Sequence, residues 1–343
     1  MGRKMRILLS SHFFHPSVGG IEQVSLLLAT EFTRAEHSVK VITTTRESDE
    51  KTFPFEVIRR PSILKLSELI HWSEVVFHNN ISLRAWWPLA FIRRPWVIAH
   101  HTWIARSDSS IALRDRVKRF VTRFATSIAV SQSVADHLNV PSTIIGNPYR
   151  GDLFKRDPSA RRERDLIFVG RLVTDKGVDI LLQALSRLKQ RGLFPLLTIV
   201  GCGPDMSRLV AMVEELRLGD QVTFLGTQTG EKLVKELNRH RVIVVPSRWQ
   251  EPFGLVALEG VACGCRAIIS ESGGLKEAAG PYAVVFEHES ELALADAIEA
   301  TLRERFDWEG YWRAIEPHLR SHCAIGVARR YLEVFKQACA SVS

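Results

Sequence analysis

Short apolar runs alternate with stretches of helical periodicity along this chain, and the alternation happens twice. In the first pass Arg6–Ser11, Val39–Thr44, Val75–His78, Trp96–His100 and Ser127–Ser131 read as strands, with a helix over Ile21–Arg34. Around residues 146–165 the texture breaks: Asn147-Pro148 and the charged stretch KRDPSARRERD read as a linker. The rhythm then restarts with strands at Asp165–Val169, Leu196–Val200, Gln221–Leu225, Arg241–Pro246 and Arg266–Ser270. Helices are expected between them, over Gly177–Gln190, near 206–216 and 230–239, from about Gly254, and over about 290–339. Strands interleaved with helices make parallel sheets covered on both faces. The expectation is an α/β chain of two Rossmann-like doubly wound domains facing across a cleft, and 343 residues suit two such cores. The expected limits are 1–155 and 156–310, with helices over 311–343 packing back toward the first domain.

Charge divides unevenly between these halves. Residues 1–155 carry the whole net charge of +8, and the remainder balances to zero. A basic first domain fits an anionic partner, such as a membrane surface or a phosphorylated acceptor. No aromatic-basic RNA signature or zinc-finger spacing accompanies it, so nucleic acid is not expected. The five cysteines, Cys202, Cys263, Cys265, Cys323 and Cys339, match neither a zinc site nor a disulfide framework. An odd count and an N-terminus unlike a signal peptide fit a cytoplasmic protein. No run approaches the ~18 apolar residues of a membrane span.

The densest chemical pattern is VVPSRWQEPFGLVALEGVACGC, residues 244–265. A strand ends, a polar loop follows, and a helix starts near Gly254, leaving the N–H groups of Gly254, Leu255 and Val256 free to bind phosphate. Glu251 precedes that helix and Glu259 lies eight residues on, inside it; carboxylates accept well from paired sugar hydroxyls. GRLVTDKG, residues 170–177, follows another strand. Gly170 permits a turn there, and Arg171 and Lys176 can neutralise a diphosphate and stabilise it as a leaving group. GGIE opens the first helix with Gly19 and Gly20, and GCGPD at 201–205 is a further strand-end turn. A complete G-x-G-x-x-G is missing, which argues against a dinucleotide-dependent dehydrogenase.

Taken together, GGIE, GRLVTDKGVDILLQAL, VGCGPD, FLGTQTGEKL, the E-x7-E core in EPFGLVALE and SGGLKE at 272–277 resemble the retaining glycosyltransferases of family 4, glycosyl transferases group 1, which have the GT-B fold. The resemblance implies a hexosyltransferase that takes a nucleotide-sugar donor, GDP- or UDP-linked, in cell-surface polysaccharide or glycolipid biosynthesis. It implies that Arg171 and Lys176 contact the donor diphosphate, Glu251 the donor sugar and Glu259 the ribose. The backbone from Phe253 through Gly254 and Leu255 to Val256 would hold phosphate and sugar, with Gly19 and Gly20 on the phosphate and acceptor side. The family places a histidine after a first-domain strand against the transferred sugar. His100 and His101 are the candidates, strand alternation lets only one face the site, and aligning VIA with the family's strand favours His101. Ser131 and Asn147 are further strand-end candidates. The acceptor would be a saccharide or a lipid-linked molecule. No cofactor and no metal are expected, because no Asp-x-Asp occurs and the two cations stand in for one. An epimerase of the same fold and a non-catalytic nucleotide-sugar-binding protein are the alternatives. The stretch between Arg46 and Val75 is shorter than in the better-known members, which trims the acceptor domain.

Two segments of the first half have a membrane-facing make-up. Residues 112–124, from Ala112 to Phe124, interleave Arg114, Arg116, Lys118, Arg119 and Arg123 with Leu113, Val117, Phe120, Val121 and Phe124. LRAWWPLAFIRRPW, residues 83–96, combines three tryptophans with three arginines. Peripheral binding to an anionic membrane, on the inner face of the cell membrane, is the expectation; packing of the same apolar residues into a core is the competing one.

Overall fold

A computed structural model describes residues 3–16, 19–46, 52–104 and 113–341. Ala112 and residues 47–51 of the shortened stretch lie outside them, as do the side chains of Arg84 and Ala85. The chain forms two compact units, Met1–Pro148 with His322–Ser343, and Tyr149–Ser321.

The first unit runs β1 (Arg6–Ser11), α1 (Gly20–Arg34), β2 (Ser38–Thr43), β3 (Glu56–Arg59), α2 (Ile63–Trp72), β4 (Val75–Asn79), α3 (Leu83–Trp86), β5 (Trp96–His100), α4 (Leu113–Thr122), β6 (Thr126–Ala129), α5 (Gln132–Leu138) and β7 (Ser142–Ile144). A short 3₁₀ turn, Trp87–Ala90, follows α3. The strands pair in parallel in the order β3-β2-β1-β4-β5-β6-β7. That order reverses between β1 and β4. Right-handed crossovers then put α1 on one face of the sheet and α2, α3 and α4 on the other.

The second unit continues with β8 (Arg164–Val169), α6 (Val178–Gln190), β9 (Leu197–Val200), α7 (Met206–Glu215), β10 (Val222–Gly226), α8 (Gly230–Arg239), β11 (His240–Val245), α9 (Leu255–Ala262), β12 (Arg266–Ser270), α10 (Leu275–Ala279), β13 (Val284–Phe286), α11 (Glu291–Arg303) and α12 (Trp308–Ser321). Its parallel order is β10-β9-β8-β11-β12-β13, reversing between β8 and β11. Two apolar cores cover its two faces. One gathers Leu181, Leu185, Leu209 and Leu294 of α6, α7 and α11, and the other Leu237, Ala257, Val261 and Ile315 of α8, α9 and α12.

The closing helix, α13 (Ala324–Ala340), belongs to the first unit. Aromatic packing holds it there: Phe335 lies 5.2 Å from Phe77 and 5.4 Å from Phe32, and Tyr331 5.4 Å from Phe77. By contrast α12 counts with the second unit, where the buried Tyr311 hydroxyl donates to Cys265 O at 3.1 Å. The stretch KRDPSARRERD is fastened to that unit as well. Asn238 accepts from Asp157 N–H at 2.7 Å and donates to Lys155 O, and Arg156 lies over the Trp312 ring. The units therefore divide at 148/149 and 321/322, where the sequence suggested 155/156 and 310/311.

Candidate functional site

Open parallel sheets bind ligands beyond the carboxyl ends of their strands, where the strand order reverses. In the second unit that point lies between β8 and β11. The loop GRLVTDKG leaves β8 there, and PSRWQEPFG leaves β11.

The two loops are built against each other. Arg248 and Trp249 both donate their backbone N–H to Asp175 O, at 2.9 and 3.1 Å. The Arg248 guanidinium reaches Asp179 at 2.6 Å. Gly177, at φ +67°, begins α6 so close to β11 that a Cβ would stand 1.9 Å from Pro246 O. Only glycine fits that crossing without moving the strand end. From β8's other side, Leu172 N–H donates to Cys202 O at 2.9 Å and Leu172 O accepts from Asp205 N–H at 3.0 Å, so GCGPD braces GRLVTDKG. Gly170 itself adopts no left-handed φ; its N–H continues the sheet toward Val200 O. The chain bends at Gly170 as expected, and the left-handed residue of the loop follows at Gly177.

Within this frame Lys176 Nζ is hydrogen-bonded to Glu251 Oε1, and Ser247 Oγ donates to the same oxygen at 2.9 Å. Arg171 stands exposed after β8 and makes no ion pair among the described residues. The backbone oxygen of Glu251 accepts from Gly274 N–H at 2.7 Å, which ties the SGGLKE loop to the same place. Phe253 is buried, and Gly254, at φ +103°, turns the chain into α9. A side chain at Gly254 would meet Leu275 Cδ2 at 2.5 Å. The first bond of the helical ladder runs from Ala257 N–H to Gly254 O, leaving the N–H groups of Gly254, Leu255 and Val256 outside it.

Glu259 lies one turn further along α9. It is half-buried with no hydrogen-bond partner among the described residues. Burial pushes its carboxyl up to about 8 against the opposing pull of Arg150, so the group is mostly protonated at neutral pH. The second unit thus brings Gly170, Arg171, Lys176, Glu251, residues 253–256 and Glu259 to one strand-end region.

The first unit has its own polar chain at the carboxyl end of its sheet. Ser11 Oγ lies 2.7 Å from Ser25 Oγ, Asn79 Nδ2 donates to Ser25 Oγ at 2.6 Å, and Asn79 Oδ1 lies 2.6 Å from His101 Nε2. His101 also faces Asn147, whose side chain raises its proton affinity. Burial outweighs that and lowers the pKa to about 4, so His101 is neutral. His100 turns the other way, toward Ser127 of β6 at 3.2 Å, and burial takes it to about 3. The alternation expected of the pair is thus borne out in their partners. Sequence reasoning missed Asn79; the polar pair Asn79-Asn80 ending the apolar run VVFHN was the available signal. Ser131 caps α5, accepting from Val134 N–H at 3.3 Å. Asn147 is buried, with its backbone oxygen against His322 Nδ1 at 3.1 Å. Gly20 opens α1, and the Glu22 carboxylate folds back over Gly19.

The helix α4 meets the other sequence expectation. Leu113, Phe120 and Phe124, just past its end, are 77%, 57% and 67% exposed, and Val117 stands beside them, while Val121 is fully buried. Most of its apolar stripe therefore faces outward. In LRAWWPLAFIRRPW, Trp96 is buried, Trp87 and Phe91 are exposed, and Arg94 is bonded to Ile70 O and His71 O. Among the described residues no helix is long and apolar enough to cross a membrane, no group of His, Cys, Asp and Glu is placed to hold a metal ion, and no disulfide joins the cysteines.

Comparison with known proteins bears on the second unit first. Residues 150–314 match the family model of glycosyl transferases group 1. The D-inositol 3-phosphate glycosyltransferase of Salinispora tropica is 37% identical over 147 residues, 38% of this chain and 30% of that protein. The match thus spans under a third of that relative's length. The phosphatidylinositol N-acetylglucosaminyltransferase gpi3 subunit of Schizosaccharomyces pombe is 23% identical over 96% of this chain and 80% of its own length. Among solved structures, Anabaena HepE in complex with UDP superposes with a TM-score of 0.80 at 18% identity, covering 98% of this chain and 100% of HepE. A glycosyltransferase from Rickettsia africae gives 0.79 at 17% identity over 98% and 99% of the two chains. Residues 150–314 thus resemble the glycosyl transferases group 1 family, and the two α/β units have the fold of the GT-B glycosyltransferases.

Proposed function

We propose that this protein is a retaining glycosyltransferase of family 4, moving a sugar from a GDP- or UDP-linked donor to an acceptor hydroxyl in the synthesis of a cell-surface polysaccharide or glycolipid. The observation that carries the reading is the meeting of Lys176 and Glu251 where the strand order of the second unit reverses, beside the helix start at Gly254. HepE, similar in fold, has been solved with UDP and with UDP-glucose. In the reaction the bond from the sugar's anomeric carbon to the phosphate oxygen breaks and one to the acceptor oxygen forms on the same face. The acceptor proton passes to an oxygen of the leaving diphosphate. Lys176, Arg171 and the N–H groups of residues 254–256 stabilise the growing negative charge, and no metal is required. Glu251 holds the sugar, Glu259 the ribose, and Gly19 and Gly20 line the phosphate and acceptor side. His101, being neutral, serves as a hydrogen-bonding group toward the sugar and not as an acid.

A thermal-shift panel of nucleotide sugars is the first test, and absence of stabilisation by every member refutes the assignment. Lys176→Ala and Glu251→Ala should each lower kcat/KM by about 10²–10³ with unchanged circular dichroism, the usual cost of losing one charge-stabilising group. Near-wild-type transfer by both removes them from the mechanism.

The partner of the first unit in this reading is an anionic bilayer, engaged by the exposed stripe of α4 and its cations from the cytoplasmic side. Phe120→Glu should release the protein from sedimenting phosphatidylserine vesicles. Wild-type protein that stays wholly in the supernatant refutes the partner.

A further inference from the structure

At the carboxyl ends of β1 and β2 the first unit holds a cavity of about 200 Å³ lined by none of the residues proposed to bind the donor. Ile42 and Leu66 form its apolar wall, and Ile63 and Trp87 stand at its mouth. Those two are 62% and 41% exposed, and Leu64 and Phe91, in the same segments, are more exposed still. One cation completes the lining. Arg60 donates from Nε to Thr44 O at 3.0 Å, and its two terminal nitrogens make no hydrogen bond or ion pair among the described residues. The cavity adjoins β1, where the strand order of this sheet reverses, the general position for a ligand.

From this combination we infer that the acceptor is a single-chain amphiphile with an anionic, phosphate-bearing head, its apolar chain in the cavity and its head at Arg60. The inference rests on the glycosyltransferase reading and deepens it by naming the acceptor class. The cavity is smaller than the roughly 300–1,000 Å³ of sites that enclose a whole ligand. It accordingly takes one part of the molecule and leaves the rest to the exposed apolar residues around it. Those residues otherwise face water, with Trp87 and Phe91 in ring contact, as apolar groups at a recognition surface do. The guanidinium fork suits a phosphate, and the net positive charge of this half of the sequence favours an anion over a neutral lipid.

Octyl phosphate is the probe, compared by calorimetric titration with octan-1-ol and inorganic phosphate. The expected result is saturable one-to-one binding of octyl phosphate, with either fragment at least tenfold weaker. Ile63→Glu should weaken octyl phosphate at least tenfold. Arg60→Gln should bring octyl phosphate down to the affinity of octan-1-ol. Both variants alter exposed side chains, and unchanged circular dichroism and melting show that they fold. Absence of saturable binding overturns the inference, as does inorganic phosphate binding equally well. So does binding that survives Ile63→Glu but falls with Phe120→Glu, which moves the amphiphile to α4. Protein that takes a nucleotide sugar and ignores octyl phosphate refutes this acceptor alone. Protein that takes octyl phosphate and ignores every nucleotide sugar refutes the transferase reading instead.

Discussion

Replacing Glu259 by glutamine removes a charge that the folded second unit resists. The carboxyl sits half-buried on α9 without a hydrogen-bond partner among the described residues, and burial raises it from the ordinary 4.5 to about 8. Below the lower value both folded and unfolded chains carry the proton, so the shift has no effect. Between the two values only the folded chain keeps it, and stability falls as pH rises through that window. Above about 8 the penalty is complete. Each pKa unit is worth about 1.4 kcal/mol, which for the whole displacement gives roughly 5 kcal/mol. Partial exposure admits water, and screening of that kind reduces the effect to about 2 kcal/mol. Glutamine has no proton to release. The stability of Glu259→Gln relative to wild type should therefore rise by about 2 kcal/mol between pH 5 and pH 8.5. Urea unfolding of the two proteins, followed by tryptophan fluorescence at both pH values, measures the difference. A gap that stays constant with pH, or one that shrinks, refutes the assigned protonation state.

The first unit should weaken in the opposite direction. Burial lowers His78 and His100 to about 3 and His101 to about 4, so from about pH 6.5 downward the unfolded chain binds protons that the folded one refuses. Its unfolding free energy from urea titration should drop steadily from pH 7 to pH 4.5, by about a few kcal/mol in all, and a flat profile counts against the buried neutral histidines. Gly177→Ala should cost roughly 2–4 kcal/mol by calorimetry and weaken nucleotide-sugar binding, since the added carbon collides with Pro246 O; an unchanged melting temperature would show that the crossing is loose. Membrane sedimentation, if it occurs through α4 cations, should fade between 0.1 and 0.5 M salt; salt-independent binding would assign it to apolar contact alone.

Much of the fold could be read because strand and helix periods differ. β1, β5, α8 and β12 fall where the apolar spacing put them. β3, β7 and β13 were not foreseen, being strands of three or four residues at or near sheet edges, too brief to show a period. The strand-end loops of the second unit, proposed above to hold the donor, were legible since glycines, cations and carboxylates there occur at strand ends in a fixed order. Two things were not. Periodicity along residues 113–124 defines an apolar stripe, but only packing determines whether that stripe faces the sheet or the solvent, and here most of it faces solvent. Likewise the letter Glu at position 259 carries no record of its surroundings, so its raised proton affinity appears only once α9 is laid against β11.

In the transferase proposed above, the pairing of Lys176 with Glu251 bears on how donor would be told from spent product. An arriving diphosphate would act as a replacement counter-ion for the lysine, and the displaced carboxylate would turn to the hydroxyls of the attached hexose. After transfer the hexose has gone, and Glu251 regains its claim on the lysine in competition with the nucleotide left behind. Ejection of the leaving nucleotide would then be driven by a residue that had just helped to hold the intact donor.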